Sequence, residues 1–244
     1  MEKSAFVVSR ENGPNVATVT LARPELGNKL TTEDIRALGQ AILSAGSDPD
    51  VKAVLVKAQG DQFCMGRDPG SAASGPKSAL QTRTSVTEPI LGLYADLRAT
   101  PVPVIAVVQG EARGFGCAFV GQCDLAIAAD SATFSLPEMD TNLPPTLAIS
   151  AVLGKVPPKR LMHLVYTREK ILAKEALEIG LLSEMVPASE LDAATAKTVS
   201  RIADRSRPAL EAVKEYMGIA PHLDPAAASR YASALLSVVL SSNR

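Results

Sequence analysis

Val102-Pro103-Val104-Ile105-Ala106-Val107-Val108-Gln109-Gly110-Glu111-Ala112-Arg113-Gly114-Phe115-Gly116-Cys117 is an apolar run that ends in a cluster of glycines. Valine-rich residues without alternation predict a strand buried on both faces over 102–108. The Gly114-Phe115-Gly116 turn then opens a short apolar helix over 116–122. Unpaired N–H groups at such a helix mouth favour developing negative charge, which makes the Phe115 N–H a candidate donor to a ligand oxygen. The same glycines are equally well explained by a tight strand-to-helix connection.

Working outward, a second strand at 51–57 delivers the chain into Phe63-Cys64-Met65-Gly66-Arg67-Asp68, another turn built on a glycine. Two such turns can hold one oxygen between backbone N–H groups, because glycine places no side chain in the way. Further on, Leu136-Pro137-Glu138-Met139 sets one carboxylate in apolar surroundings. Desolvation there raises its pKa toward the range useful for proton transfer. The bland alternative is an ordinary glutamate in the first turn of a helix, facing water.

The remaining elements fall around these three segments. Residues 6–8 and 16–21 predict an opening hairpin joined through Glu11-Asn12-Gly13-Pro14, and 31–45 a helix with Thr31 and Asp34 as a capping box. Helix is expected at 89–97 and strands at 125–128 and 132–135. Pro69 to Pro76 reads either as a loop over a site or as a surface insertion. After Pro187 the chain turns to alanine-rich helices at 191–204, 208–217 and 225–241. The last of these presents Tyr231, Leu235, Val238 and Val239, a face suited to a partner subunit. Pro187 is therefore the expected boundary between a core, 1–187, and a helical oligomerisation region, 188–244. This loose strand-strand-helix order is α/β without strict alternation.

Composition narrows the functions. The 244 residues carry 25 Lys plus Arg against 26 Asp plus Glu, which gives no basic excess for nucleic acid. No apolar window reaches the roughly 18 residues of a membrane span, and the start, Met1-Glu2-Lys3-Ser4, does not read as a signal peptide. Three cysteines, Cys64, Cys117 and Cys123, have no paired metal spacing and read as buried thiols of a reducing cytoplasm. His163 and His222 lack partners for a triad or a metal site, so no metal is expected. A small-molecule ligand and self-association are the partners this leaves.

One competing pattern exists. Gly110, Gly114 and Gly116 after a strand, with Tyr166 and Lys170, match the glycine fingerprint and Tyr-x-x-x-Lys pair of short-chain dehydrogenases. Only about 50 residues separate Gly116 from Tyr166, too few for the several βα units of about 30 residues that belong between them.

Taken together, the segments resemble the crotonase, or enoyl-CoA hydratase/isomerase, family from about Val16 to about Leu191. The resemblance rests on Thr20-Leu21-Ala22-Arg23-Pro24-Glu25-Leu26-Gly27-Asn28, on Phe63 to Asp68, and on Pro103 to Asp124 with its closing Cys123-Asp124. It also rests on Ala173-Lys174-Glu175-Ala176-Leu177-Glu178-Ile179-Gly180-Leu181, followed by Val186-Pro187. It implies a spiral of ββα repeats, a C-terminal helical trimerisation region, and a homotrimer or a dimer of trimers. It further implies a substrate carried as a coenzyme A thioester, with no separate cofactor. By position, the N–H groups of Arg67 and Phe115 would form an oxyanion hole and Glu138 would be catalytic. Leu26, Met65, Gly66, Asp68 and Gly114 would contact the coenzyme or substrate.

Departures from the family pattern decide the expected chemistry. Hydratases of this family carry a second glutamate where this chain has Ala118. Adding water usually takes two acids, whereas one carboxylate can carry a proton between C2 and C4 on one face. Isomerisation of 3-enoyl to 2-enoyl thioesters is therefore expected first, and hydration through Glu138 alone second. A degenerate site that binds acyl-CoA without turnover is a third reading. The segment Asp140-Thr141-Asn142-Leu143-Pro144-Pro145-Thr146 replaces the usual glycine-rich run, and the chain ends early at Asn243-Arg244. The acyl pocket is expected to depend on residues 69–98 and 143–152.

Overall fold

A computed structural model describes residues 4–10, 15–68 and 78–242. The link Glu11 to Pro14, the loop Pro69 to Pro76 and the terminal Asn243-Arg244 lie outside the described residues. The chain opens with β1 (Phe6–Ser9) and β2 (Val16–Leu21), an antiparallel pair that aligns Phe6 with Leu21. Helix α1 (Thr32–Ser47) starts where the sequence predicts, with Thr31 and Asp34 closing a reciprocal capping box. That motif satisfies two orphan N–H groups, and its cap residue is worth about 1 kcal/mol.

Strand β3 (Ala53–Ala58) is followed by α2 (Ala79–Thr82), a π-helical turn at Arg83–Thr87, and α3 (Glu88–Ala99). Next come β4 (Val104–Val108), β5 (Glu111–Arg113), α4 (Phe115–Gln122), β6 (Leu125–Ala129) and β7 (Thr133–Ser135). After α5 (Thr146–Val152) and α6 (Pro158–Thr167), the short β8 (Ile171–Leu172) leads to α7 (Ala173–Glu178) and β9 (Glu184–Val186). Three helices complete the chain: α8 (Leu191–Ala203), α9 (Arg207–Ile219) and α10 (Pro225–Ser242).

Two sheets arise from this order. The larger runs β1-β2-β3-β4-β6-β9, and every pairing after the first is parallel. The smaller runs β5-β7-β8, and two parallel bridges, Leu30 to Arg67 and Cys64 to Ala112, extend the ladder toward earlier segments of the chain. Each turn of the chain thus contributes a strand to the large sheet, then a shorter stretch to the small one, then a helix. That is the spiral of ββα units, and the fold is the crotonase fold.

Burial follows from the pleat. All five residues of β4 are buried, as expected of a central strand covered on both faces. Val54, Val56, Val104, Ala106 and Val108 join the main core with α1, α3 and α4. Leu55, Ile105, Val107 and Ile127 point to the opposite face, where Leu191 and Val199 of α8 cover them. Leu191, Thr195 and Val199 recur at four-residue spacing, so one stripe of α8 meets the sheet.

Polar ties fix α9 to the same body. The Arg207 guanidinium donates to the carbonyls of Gly46 at 2.9 Å and Val51 at 2.7 Å, and also to that of Asp48. Lys214 Nζ donates to Leu97 O at 2.9 Å, Val102 O at 3.1 Å and Asp124 Oδ2 at 2.7 Å. Helix α10 packs on α9 through half-buried Tyr231, whose ring stacks 6.2 Å from that of Tyr216. Val213, Met217, Leu236, Val238 and Leu240 stay exposed. No helix among the described residues is long and apolar enough to cross a membrane.

Candidate active site

The first turn of the site is held from below by Asn28. This buried residue sits at φ +54°, a backbone region that asparagine tolerates better than most side chains. Its Nδ2 donates to Gln59 O at 2.9 Å and Gln62 O at 2.8 Å, while its Oδ1 accepts from Arg23 N at 3.1 Å. From there Met65 N donates to Gly27 O, Leu30 N to Gly66 O, and Asp68 N to Leu30 O. The Arg67 N–H between them donates to no acceptor among the described residues.

The second turn is pressed against the first. Arg113 N donates to Cys64 O at 2.9 Å, and a Cβ added at Gly116 would stand 2.1 Å from that same oxygen. Only glycine allows the approach. Gly114, at φ +54° and ψ −117°, turns the chain into α4, so Phe115 is the first helical residue and its N–H has no partner one turn back. Behind it the Phe115 ring stacks on Phe119, with centroids 6.1 Å apart, and Phe119 packs in turn on Phe63 at 6.3 Å. The rings of both turns thus belong to one core.

Glu138 opens a 3-10 turn, Glu138–Thr141, just after β7. Its Oε1 lies where a Cβ on Gly114 would meet it at 2.9 Å, directly beside the start of α4. Its Oε2 is buried and has no hydrogen-bond partner among the described residues. Burial pushes the carboxyl above the ordinary carboxylate range, only partly opposed by its own backbone N–H and by Arg113. A desolvated carboxylate without a fixed partner is primed to take a proton.

These groups share one cavity of about 500 Å³. Met65, Gly66, Arg67, Gly114, Phe115 and Glu138 all line it. Thr82, Val86, Thr87, Ile90 and Tyr94 line it from one side of the sequence and Leu143 to Ala148 from another, within the two segments, 69–98 and 143–152, expected to shape an acyl pocket. Leu26 and Asp68 lie outside that lining. Leu26 is 48% exposed on the turn preceding Gly27, next to Met65, and the Asp68 N–H is occupied by Leu30 O at 2.8 Å. Ala118 is fully buried in the core and supplies no second acid. Sequence reasoning missed Tyr94 and Arg113 as lining residues; only the glycine next to Arg113 signalled its neighbourhood.

Other candidates fall elsewhere. Tyr166 is 61% exposed at the end of α6, and Lys170 is paired with Glu111 at 2.8 Å, so neither reaches the cavity. His163 contacts Glu169 and Arg160 on the surface of α6, and His222 is exposed. No group of three or more His, Cys, Asp or Glu among the described residues could hold a metal ion. All three cysteines are buried thiols, and burial raises each to about 12.

Arg67 and Phe115, whose N–H groups donate to no described acceptor, thus line one cavity with a single half-buried carboxylate on a crotonase spiral. The sequence model of the enoyl-CoA hydratase/isomerase family matches residues 11–242, and the chain belongs to that family. The human mitochondrial enoyl-CoA hydratase domain-containing protein 3 is 32% identical over 79% of this chain, which spans 63% of that protein's length. "Probable enoyl-CoA hydratase echA8" of Mycobacterium bovis is 33% identical, covering 83% of this chain and 79% of its own. A relative from Rhodococcus jostii, 28% identical over 88% of this chain and 82% of its own, is named as an indene-carboxyl-CoA hydrolase. Among solved structures, an enoyl-CoA hydratase of Mycobacterium smegmatis superposes with a TM-score of 0.91 at 28% identity, covering 98% of this chain and 91% of that one.

Proposed function

We propose that the chain is an enzyme acting on an acyl-CoA thioester, and that it moves a double bond from the 3- to the 2-position. The observation carrying this reading is the single carboxylate: Glu138 Oε2 is buried and unpartnered beside Gly114, while Ala118 stands where a second acid would be needed. In this reading the thioester carbonyl lies between the N–H groups of Arg67 and Phe115. Each such donor is worth roughly 3 kcal/mol of barrier when aimed at developing charge. Glu138 takes the proton from C2, and the electron pair passes into a dienolate held on the carbonyl oxygen. The same carboxyl then returns the proton at C4, so one group on one face completes the reaction. Coenzyme A enters and leaves as part of the substrate, and no separate cofactor is needed.

Hydration through Glu138 is the second reading, favoured by the hydratase names of the M. bovis relative and the M. smegmatis structure. Mixed 2-enoyl and 3-enoyl thioesters followed by absorbance and mass separate the two, since hydration adds the mass of water and isomerisation does not. A panel that binds saturably without turnover would instead point to a non-catalytic acyl-CoA module. Assembly as a trimer or dimer of trimers belongs to the same proposal, supported by the exposed apolar residues of α9 and α10. So does a reducing compartment, read here as the cytoplasm, on the strength of three unpaired buried thiols.

A further inference from the structure

Helix α4 begins at Phe115 and ends at Gln122, and all eight of its residues are buried. Shielded from water, its last carbonyls need partners inside the fold. Cys123 N serves Phe119 O and Val120 O, each at 3.2 Å. Gly121 O is served by a side chain from elsewhere: Lys155 Nζ donates to it at 2.6 Å. A cation at the C-terminal end also complements the helix dipole. Lys155 is delivered by the turn after α5, where Gly154 takes φ +84°, Lys155 N and Val156 N both donate to Val152 O, and Leu153 pairs with Val156. At the same place α5 presses directly on α4, since a Cβ on Gly121 would stand 2.4 Å from Val152 Cγ1. Desolvation lowers the Lys155 pKa, so the ammonium is kept where its surroundings work against its charge.

We propose that Lys155 is a positioning residue for the oxyanion site: by holding Gly121 O it fixes the direction of α4, and with it the Phe115 N–H at the other end of the helix. The inference rests on the reading of that N–H as a donor to a thioester carbonyl. At its start α4 is registered by Gly116 against Cys64 O and by the Arg113 N–H bonded to the same oxygen. A helix about 12 Å long that is held at one end still tilts about that end. The tie at Gly121 removes this freedom, and the helix carries the restraint back to its first residue. Lys155 itself lies outside the cavity lining and acts through Gly121. Helix α5, which brings it there, gives Thr146, Leu147 and Ala148 to that lining, so the wall and the donor stand on two helices joined at their far ends.

Lys155→Met removes the donor and keeps an apolar stem. Arg207→Met loosens α9 from Gly46 and Val51 and serves as a destabilised control that does not touch α4. Turnover of 3-enoyl and 2-enoyl thioesters is measured below the melting range, together with the infrared carbonyl stretch of bound butyryl-CoA, which falls in frequency as donors pull on the oxygen. Lys155→Met should lose about 3- to 10-fold in kcat, part of what a full misplacement of about 1 Å costs, with KM nearly unchanged. Its bound carbonyl stretch should return toward that of the free thioester. Arg207→Met should melt lower and change neither kcat nor stretch. Wild-type kcat in Lys155→Met, a kcat loss with an unmoved stretch, or an equal kcat loss in Arg207→Met overturns the proposal. Should Lys155→Met not fold, Lys155→Gln, which retains a neutral donor, is read by the same two measurements and should show a smaller loss in each. The wild-type spectrum keeps the two readings apart. A stretch that does not move on binding would remove the oxyanion role of Arg67 and Phe115, whereas a shifted stretch that Lys155→Met leaves in place would remove only the role of Lys155.

Discussion

Gly116→Ala should separate the two turns of the oxyanion site. The added Cβ would stand 2.1 Å from Cys64 O, more than 1 Å short of ordinary contact at 3.4 Å, and 2.9 Å from Cys64 Cβ. Cys64 O cannot retreat freely, because it accepts the Arg113 N–H at 2.9 Å in the link that joins the turns. Either α4 moves away or that link lengthens, and both displace the Phe115 N–H relative to the Arg67 N–H. Overpacking of this kind costs about 1–3 kcal/mol, which for a chain of this size lowers Tm by roughly 2–12 °C. A shift of about 1 Å at a positioned group costs about 10²-fold in rate. Because the rest of the thioester still binds, the loss should fall on kcat and leave KM nearly unchanged. Thermal unfolding and steady-state turnover of an enoyl-CoA measure both, with Gly92→Ala as the control, since nothing lies within 4 Å of a Cβ there. A Gly116→Ala enzyme with lowered Tm but wild-type kcat would refute the claim that the spacing of these two turns sets catalysis.

Glu138→Gln should lower turnover by about 10²- to 10⁴-fold while thioester affinity, read by calorimetry, stays within a few-fold. Because burial raises the Glu138 pKa, its base form is lost at a higher pH than for an ordinary glutamate. The acidic limb of kcat/KM should therefore lie above the usual ~4.3. The same raised pKa means that ionised Glu138 destabilises the fold above its folded pKa and does not below its unfolded one. Glu138→Gln should accordingly melt above wild type at pH 7, with the difference closing as the pH falls through the carboxylate range. Asn28→Ala leaves Gln59 O, Gln62 O and Arg23 N without their partner and should destabilise by about 2–4 kcal/mol in denaturant titration. Lys214→Met removes three acceptors' shared donor and should speed amide exchange in α9, 207–219, more than in α1.

The spiral and the heart of the site were readable in the residues because the features that build them are local. An all-apolar strand, a glycine whose φ or close approach excludes other residues, and a capping box each act over a few positions. Thr31 with Asp34, and Gly114 before Phe115, are of this kind. The cavity walls are not. Ile90, Leu93, Tyr94 and Leu97 form an ordinary amphipathic stripe, and periodicity cannot distinguish a tyrosine that only fills a core from one that also lines a cavity. Helix α8 shows the same limit. Its stripe announces that Leu191, Thr195 and Val199 are covered, but only the fold reveals that the cover is the outer face of the chain's own sheet.

The parallel ladder that joins successive passes of the chain also has a bearing on how such a site can change. Arg67 follows β3, Phe115 follows β5 and Glu138 follows β7, so the three groups are supplied by separate rungs, each anchored by its own strand. A rung can be lengthened at its outer connection, as between Glu138 and α5, without shifting the strands that hold the other two. The scaffold therefore separates what must be conserved in space from what is free to vary in length, and new acyl groups can be accommodated by editing one rung at a time.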